Sequence, residues 1–293
     1  MGDRWIFYVL SLLSAASWAL GSILWRKLGD EISPVTMNLS KGLIGSLLLG
    51  LCLLGAESVP LAPRPLLFLA VSGIIGISVG DTFFFKALMQ LGPRLTSLLG
   101  TLYPVTIALS AAVFLGERPS PMVWIGILIT MSGVAWVMWE RGTPQGVVKS
   151  RALGVWYAMM ALMSTTVAVL LAKLGVEAVP PMPAAFIRLL AGTMGLMCWG
   201  YVTHGLTGWL NPLRDRRLLA KVTGVVAVVA FGGFWLSLVA LKNIDASVAG
   251  TLNATSPLFV LPLAMLFLKE RVSVRSLCGT GIAVAGVGLI FLG

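Results

Sequence analysis

Ten stretches of nearly uninterrupted apolar residues, most about 20 long, decide what this chain can fold into. Such a run matches the roughly 30 Å hydrocarbon core of a bilayer at about 1.5 Å per helical residue. Lipid offers backbone N–H and C=O groups no water, so each run must close its own hydrogen bonds as a helix. The runs are 7–25, 35–54, 66–88, 95–115, 122–139, 153–172, 184–202, 218–241, 248–268 and 274–292. A soluble helical domain needs polar helix faces towards water, and with 58% apolar and 11% charged residues this chain lacks them. The fold class is therefore an all-α integral membrane protein with ten transmembrane helices. Arg4 precedes the first run, but that run continues to Trp25, too long for a signal-peptide core, so it reads as a span.

The chain also repeats itself. An offset of 153 carries Pro104 onto Pro257, Glu117 onto Glu270, Arg118 onto Arg271, Gly126 onto Gly279 and Gly133 onto Gly286. Earlier in each half the offset is 146, taking Lys27-Leu28-Gly29 onto Lys173-Leu174-Gly175, and one further residue sets Lys41 opposite Arg188. Two repeats follow, 1–145 and 146–293, with five spans each. An odd number of spans means that the halves enter the membrane from opposite sides. Inverted repeats of this kind place a transport site near the midplane, between units that rock against each other.

The net charge of +10 sits mainly between the apolar runs, so it reads as topology signal and as contact with anionic membrane lipid. Nucleic acid is not an expected partner. Arg26, Lys27, Arg94, Arg141, Lys149, Arg151, Arg214, Arg216, Arg217, Lys221, Lys269, Arg271 and Arg275 flank spans on one side, against Arg4, Arg64, Arg118, Lys173 and Lys242 on the other. Because Lys and Arg accumulate on the cytoplasmic side, both termini are expected outside. Cys52, Cys198 and Cys278 lie within apolar runs without metal or disulfide spacing, and read as packing residues. No cofactor or metal is implied. Pro34, Pro65, Pro93, Pro121 and Pro183 mark helix starts. Gly126, Thr130 and Gly133, with Gly279, Ala283 and Gly286, give spans five and ten small faces for close helix contact. That contact reads first as packing within a monomer and second as a weak homodimer.

"Pro…Leu-Gly-Glu-Arg…Gly" in the first half and "Pro…Leu-Lys-Glu-Arg…Gly" in the second resemble the drug/metabolite transporter superfamily, and the EamA-like transporters within it. The run 185–192, Ala-Phe-Ile-Arg-Leu-Leu-Ala-Gly, is similar to that family's second-helix pattern, with Lys41 at the matching place in the first half. The resemblance covers essentially the whole chain. It implies export of amino acids and derivatives, or exchange of sugar phosphates, nucleotide sugars or drugs, and it usually implies cytoplasmic termini.

Lys41, Asp81, Lys86 and Arg188 are the ionisable residues well inside spans. Each must face protein or a wet cavity, since a charge at mid-bilayer costs about 2.5–3.5 kcal/mol even on the lenient insertion scale. Lys41 and Arg188 enter from opposite faces and suit an anionic or carboxylate-bearing substrate; the plainer reading is that they hydrogen-bond helix ends or snorkel. Asp81 stands mid-span opposite Phe234 in the repeat, so symmetry does not require it. A carboxylate in low dielectric can exchange protons, which makes Asp81, with Lys86, a candidate for proton or substrate coupling; an ion pair that holds helices together is the alternative. Span one carries a stripe of Ser11, Ser14, Trp18, Ser22 and Trp25. Trp18, Tyr103, Asn253 and Trp235 complete the candidate substrate-binding set, although hydroxyl and amide groups beside Pro104 and Pro257 also serve carbonyls that proline frees.

An enzyme would need a nucleophile, a base or metal ligands around one cavity. The one histidine, His204, stands at a span end, and no Cys/His cluster or carboxylate pair exists in the sequence. Drug-cation antiport is disfavoured because the small multidrug-resistance relatives that the resemblance brings in carry a first-helix glutamate where span one here has no acid, and because buried bases outnumber buried acids. The reading is a secondary transporter for small polar metabolites, amino acids or derivatives first, organic anions or phosphate esters second. Protons are candidate co-substrates.

Overall fold

The computed structural model describes residues 4–28, 31–55, 62–100, 102–140, 151–256, 258–259, 263 and 274–292. Among them it is all helical. The first half comprises α1 (Arg4–Leu28), α2 (Pro34–Leu53), α3 (Pro63–Gly73), a π-helical segment (Ile74–Gly80), α4 (Asp81–Gly100), α5 (Tyr103–Phe114) and α6 (Pro121–Glu140). The second comprises α7 (Arg151–Val176), α8 (Pro181–Val202), the short α9 (Leu206–Leu210), α10 (Arg216–Ala227), a second π-helical segment (Val228–Trp235), α11 (Leu236–Asn243), α12 (Ala246–Asn253) and α13 (Val274–Leu292). Pro257, Glu270 and Arg271 of the second repeat motif lie outside the described residues.

Among the described residues, six helical stretches are long and apolar enough to cross a membrane: Trp5–Trp25, Pro34–Leu53, Pro63–Ala87, Ala152–Val176, Pro181–Val202 and Arg216–Asn243. Tyr103–Phe114, Pro121–Trp136 and Cys278–Ile290 are shorter apolar helices. Large apolar side chains point outward: Leu47 and Met194 are each 61% exposed, and Phe114 75%. In water that surface would drive aggregation; in lipid it costs nothing. Cys52, Cys198 and Cys278 belong to the same outer surface. They are exposed free thiols, not the packing residues expected from the sequence, because an apolar run in lipid does not reveal which of its faces meets protein.

Local chemistry sets the helix ends. The Ser33 hydroxyl accepts from the Thr36 N–H at 3.2 Å, and Pro34 follows at the first helical position, where a missing donor costs little. One expected start is not used. Pro93 lies within α4, and the chain breaks instead just before Tyr103-Pro104. The run expected to span 95–115 is thus split between the end of α4 and α5. Close packing favours the continuous helix: a Cβ at Gly154 of α7 would stand 2.5 Å from Leu91 Cγ, so α4 is pressed onto α7 just ahead of the proline. The carbonyl that Pro93 frees is tolerable inside a bundle.

The Leu-Gly-Glu-Arg motif has a clear structural task. Gly116 adopts a left-handed φ of 69° and ends α5. Glu117 then reaches into the other half, where its carboxylate accepts from the N–H groups of Ala246 and Ser247 at 2.6 and 3.2 Å and from the Ser247 hydroxyl at 2.9 Å. Asp245 makes no side-chain cap there, so Glu117 supplies the cap and the negative charge that a helix N-terminus favours. At the preceding joint the Lys173 ammonium donates to the carbonyls of Leu241 and Ile244 at 2.7 and 2.8 Å, at the C-terminal end of α11.

Helices pair across the sequence. α2 lies on α8, α5 on α12 and α6 on α13; α1 packs against the second π segment and α11, as α7 packs against α3, the first π segment and α4. The α6–α13 contact uses the small residues. A Cβ at Gly133 would meet the Ala283 nitrogen at 2.4 Å, and one at Gly286 the Thr130 nitrogen at 2.4 Å, so these backbones touch directly.

Candidate functional site

The two π-helical segments frame the site. Such segments are rare and concentrate where a helix has been distorted for function. Here they occupy matching places, ending at Gly80 and Trp235, and Gly80 and Gly233 stand at the repeat offset of 153. Their displaced carbonyls find partners on neighbouring helices: Asn38 Nδ2 donates to Ile77 O at 2.9 Å, and Ser14 Oγ to Gly233 O at 2.9 Å. Ser78 Oγ bonds Gly192 O at 2.6 Å, tying the first segment to α8. The α1 polar stripe is therefore largely glue: Ser11 also bonds the Ala249 carbonyl, and Ser22 that of Ala19.

Asp81 is the first residue beyond the first π segment, and Lys41 on α2 forms a salt bridge with its carboxylate. The lysine side chain is 6% exposed and the aspartate 31%, so the pair has a buried end and a more exposed one. Lys41 Nζ also stands 5.3 Å from the ring centroid of Phe234, and Trp18 meets that ring edge-on at 5.0 Å. A cation over an aromatic face gains roughly 0.5–2 kcal/mol, the upper end when desolvated. The ion pair joins two helices of the first half, and the aromatic floor beneath it comes from the second.

Arg188 approaches from α8 and is buried, 7% exposed. Its placement depends on glycine: a Cβ at Gly73 would collide with the Arg188 carbonyl at 2.2 Å, and one at Gly76 would stand 3.8 Å from the guanidinium. Asp81 and Tyr103 both lie within electrostatic range of Arg188. Its Nε has no hydrogen-bond partner among the described residues. Tyr103, half-buried, packs beside Gly250 of α12.

Other candidates fall elsewhere. Lys86, grouped with Asp81 on the sequence, sits instead in a box of rings, 5.8 Å from Phe83, 5.5 Å from Tyr157 and 5.6 Å from Trp199. Asn253 donates to Ser11 Oγ at 3.3 Å and to Ala249 O at 3.1 Å, which ties α12 to α1, while its Oδ1 has no partner. Trp235 is half-buried at the end of the second π segment, next in sequence to Phe234 but without its contact to Lys41. Asn38, and the capping role of Glu117, were missed from the sequence. Asn38 was detectable as a polar residue three positions before Lys41 on the same face.

These residues belong to a chain with recognisable relatives. A protein from Archaeoglobus fulgidus named an uncharacterized transporter is 25% identical over 97% of both chains. The inner membrane transporter YedA of Escherichia coli, also named as uncharacterized, is 27% identical over 47% of this chain and 42% of its own. In fold, a crystal structure of a protein 20% identical in sequence superposes with a TM-score of 0.80 over 99% of this chain and 98% of that one. The model of the EamA-like transporter family matches residues 5–139 and again 152–292. With two copies of that family's unit covering its length and several membrane-length apolar helices, the chain is an integral multi-pass membrane protein of the EamA-like transporter family, in the drug/metabolite transporter superfamily.

Proposed function

We propose that the protein is a secondary transporter of the bacterial inner membrane that exports or exchanges small polar metabolites, amino acids or derivatives first. It would work by alternating access between two inverted five-helix units, 1–145 and 146–293. The observation that carries this reading is the Lys41–Asp81 pair resting on Phe234 of the other half. A buried charge pair that stays closed neutralises its own ions as the two units rock, so the empty site need not carry bare ions through the membrane. The helix pairing supports a two-fold relation between the halves: exchanging them carries the α1 contacts into those of α7, and returns the α2–α8, α5–α12 and α6–α13 pairs to themselves. Asp81, 31% exposed, is the group proposed to take and release a proton, with Lys41 and Arg188 guiding the substrate.

A second reading, exchange of organic anions or phosphate esters, is favoured by the unpartnered Nε of Arg188. Both are tested in sealed proteoliposomes loaded with unlabelled solute and supplied with trace label outside. Saturable counterflow is expected with amino acids or their derivatives. Counterflow only with phosphorylated metabolites would select the second reading, and none across amino acids, organic acids, phosphate esters, nucleotide sugars and cationic dyes would remove the transport assignment.

A further inference from the structure

The buried site has an uneven charge count. Two cations enter it, Lys41 and Arg188, against one carboxylate, Asp81, which Lys41 already holds. Among the described residues, the elements packed on α8 supply no second anion. α2 carries only Lys41, and α3 with its π segment only Arg64, which lies over the Phe68 ring. α7 carries Arg151 and Lys173, the latter committed to the Leu241 and Ile244 carbonyls. The second π segment has no charged residue, and α11 has only Lys242, bonded to the Val179 carbonyl. Tyr103 is a neutral phenol. A guanidinium does not shed its proton in proteins, so with the internal pair formed the site keeps one uncompensated positive charge, at Arg188.

We infer that the site selects solutes of net charge −1, whose carboxylate is not offset by an ammonium on the same molecule. N-acylated amino acids belong to this class. The inference rests on the proposed transport function and narrows its substrate. A carboxylate at Arg188 gains a charge-assisted hydrogen bond from the vacant Nε and cancels the excess charge. A zwitterion brings an ammonium as well, and the acid in reach of it is Asp81. Pairing with Asp81 would strip Lys41 of its partner in a pocket where that side chain is 6% exposed, and leaving a buried charge unpaired is strongly unfavourable. Leaving the ammonium unpaired incurs the same penalty on the ligand. An N-acyl group meets neither, because its amide is neutral.

The test is calorimetric titration of the purified full-length protein with N-acetyl-L-leucine and with L-leucine. The wild type is expected to bind the N-acetyl compound about tenfold or more tightly than the amino acid, the scale of one charge-assisted hydrogen bond. Arg188→Gln should weaken the N-acetyl compound until the two affinities lie within about threefold, the tenfold selectivity being lost with the charge. Arg188→Lys, which keeps the charge, should retain the preference and so separates a lost charge from a disturbed fold. The inference is overturned if leucine binds as tightly as its N-acetyl form, if neither binds, or if Arg188→Gln leaves the ratio unchanged. Failure of this inference leaves counterflow of some other solute intact, whereas failure of the transport reading abolishes counterflow for every solute tried.

Discussion

Replacing Asp81 with asparagine is expected to abolish pH-driven accumulation of substrate while sparing exchange down a gradient. The side chain stays nearly isosteric and still offers Lys41 an oxygen to bond, but it can no longer bind a proton. Asp81 is the more exposed member of the pair, at 31% against 6% for the Lys41 side chain, which makes it the one proposed to exchange a proton. Asp81→Leu tests the structural half of the same contact. Removing one partner of a buried ion pair outright costs about 3–5 kcal/mol; partial exposure of Asp81 puts the expected loss in the lower part of that range. Uptake into proteoliposomes, followed with an imposed pH gradient and then in counterflow from pH 5.5 to 8, separates the two roles. If Asp81→Asn matches wild type throughout, the pair only holds α2 to α4, and proton coupling at Asp81 is withdrawn.

Gly133→Val and Gly286→Val are expected to remove most of the folded protein. The obstruction at both positions is backbone: an added Cβ would stand 2.4 Å from Ala283 N and 2.6 Å from Gly279 O in one case, and 2.4 Å from Thr130 N and 2.8 Å from Gly126 O in the other. Backbone cannot swing aside as a side chain does, so α6 and α13 must separate along their length. Overpacking commonly costs about 1–3 kcal/mol, and this contact belongs at or above the top of that range. Gly288→Val is the control, because nothing lies within 4 Å of a Cβ there. Thermal unfolding followed by size-exclusion fluorescence should show a large loss for the first two variants and none for the control. Were these glycines a dimer contact only, the variants would change oligomeric state and keep their melting temperature.

The helical class was legible because a bilayer leaves an apolar chain few choices, and the same cost of buried charge singled out Lys41, Asp81 and Arg188. Their partners were not legible. Asp81 had three bases to choose among, and helix packing settled the choice by laying α2 against the end of the first π segment. Lys86 went to Phe83, three residues back on its own helix, and to rings of α7 and α8, which no spacing within α4 reveals. The π segments had only a faint signature, the glycines near their ends, since one extra residue in a helical turn leaves hydropathy unchanged. Glu117 was noticed as half of a repeat, but its work as a cap depends on a helix 129 residues away. Pro93 misled because local propensity marks a helix start there, while tertiary contact with α7 carries the helix through.

The transport mechanism requires the two halves to cross the membrane in opposite directions, and equivalent loops test this directly. Gly55, after α2, and Gly208, after α8, both have open space around an added Cβ. After Cys52, Cys198 and Cys278 are replaced, Gly55→Cys and Gly208→Cys are each labelled with an impermeant thiol reagent in intact and in permeabilised cells. Inversion predicts that the two sites react from opposite sides, and the Lys/Arg distribution predicts Gly55→Cys outside and Gly208→Cys inside. Reaction of Gly208→Cys alone in intact cells would turn the molecule over yet preserve the inversion. Reaction of both from the same side would contradict it, and with it the proposed transport mechanism.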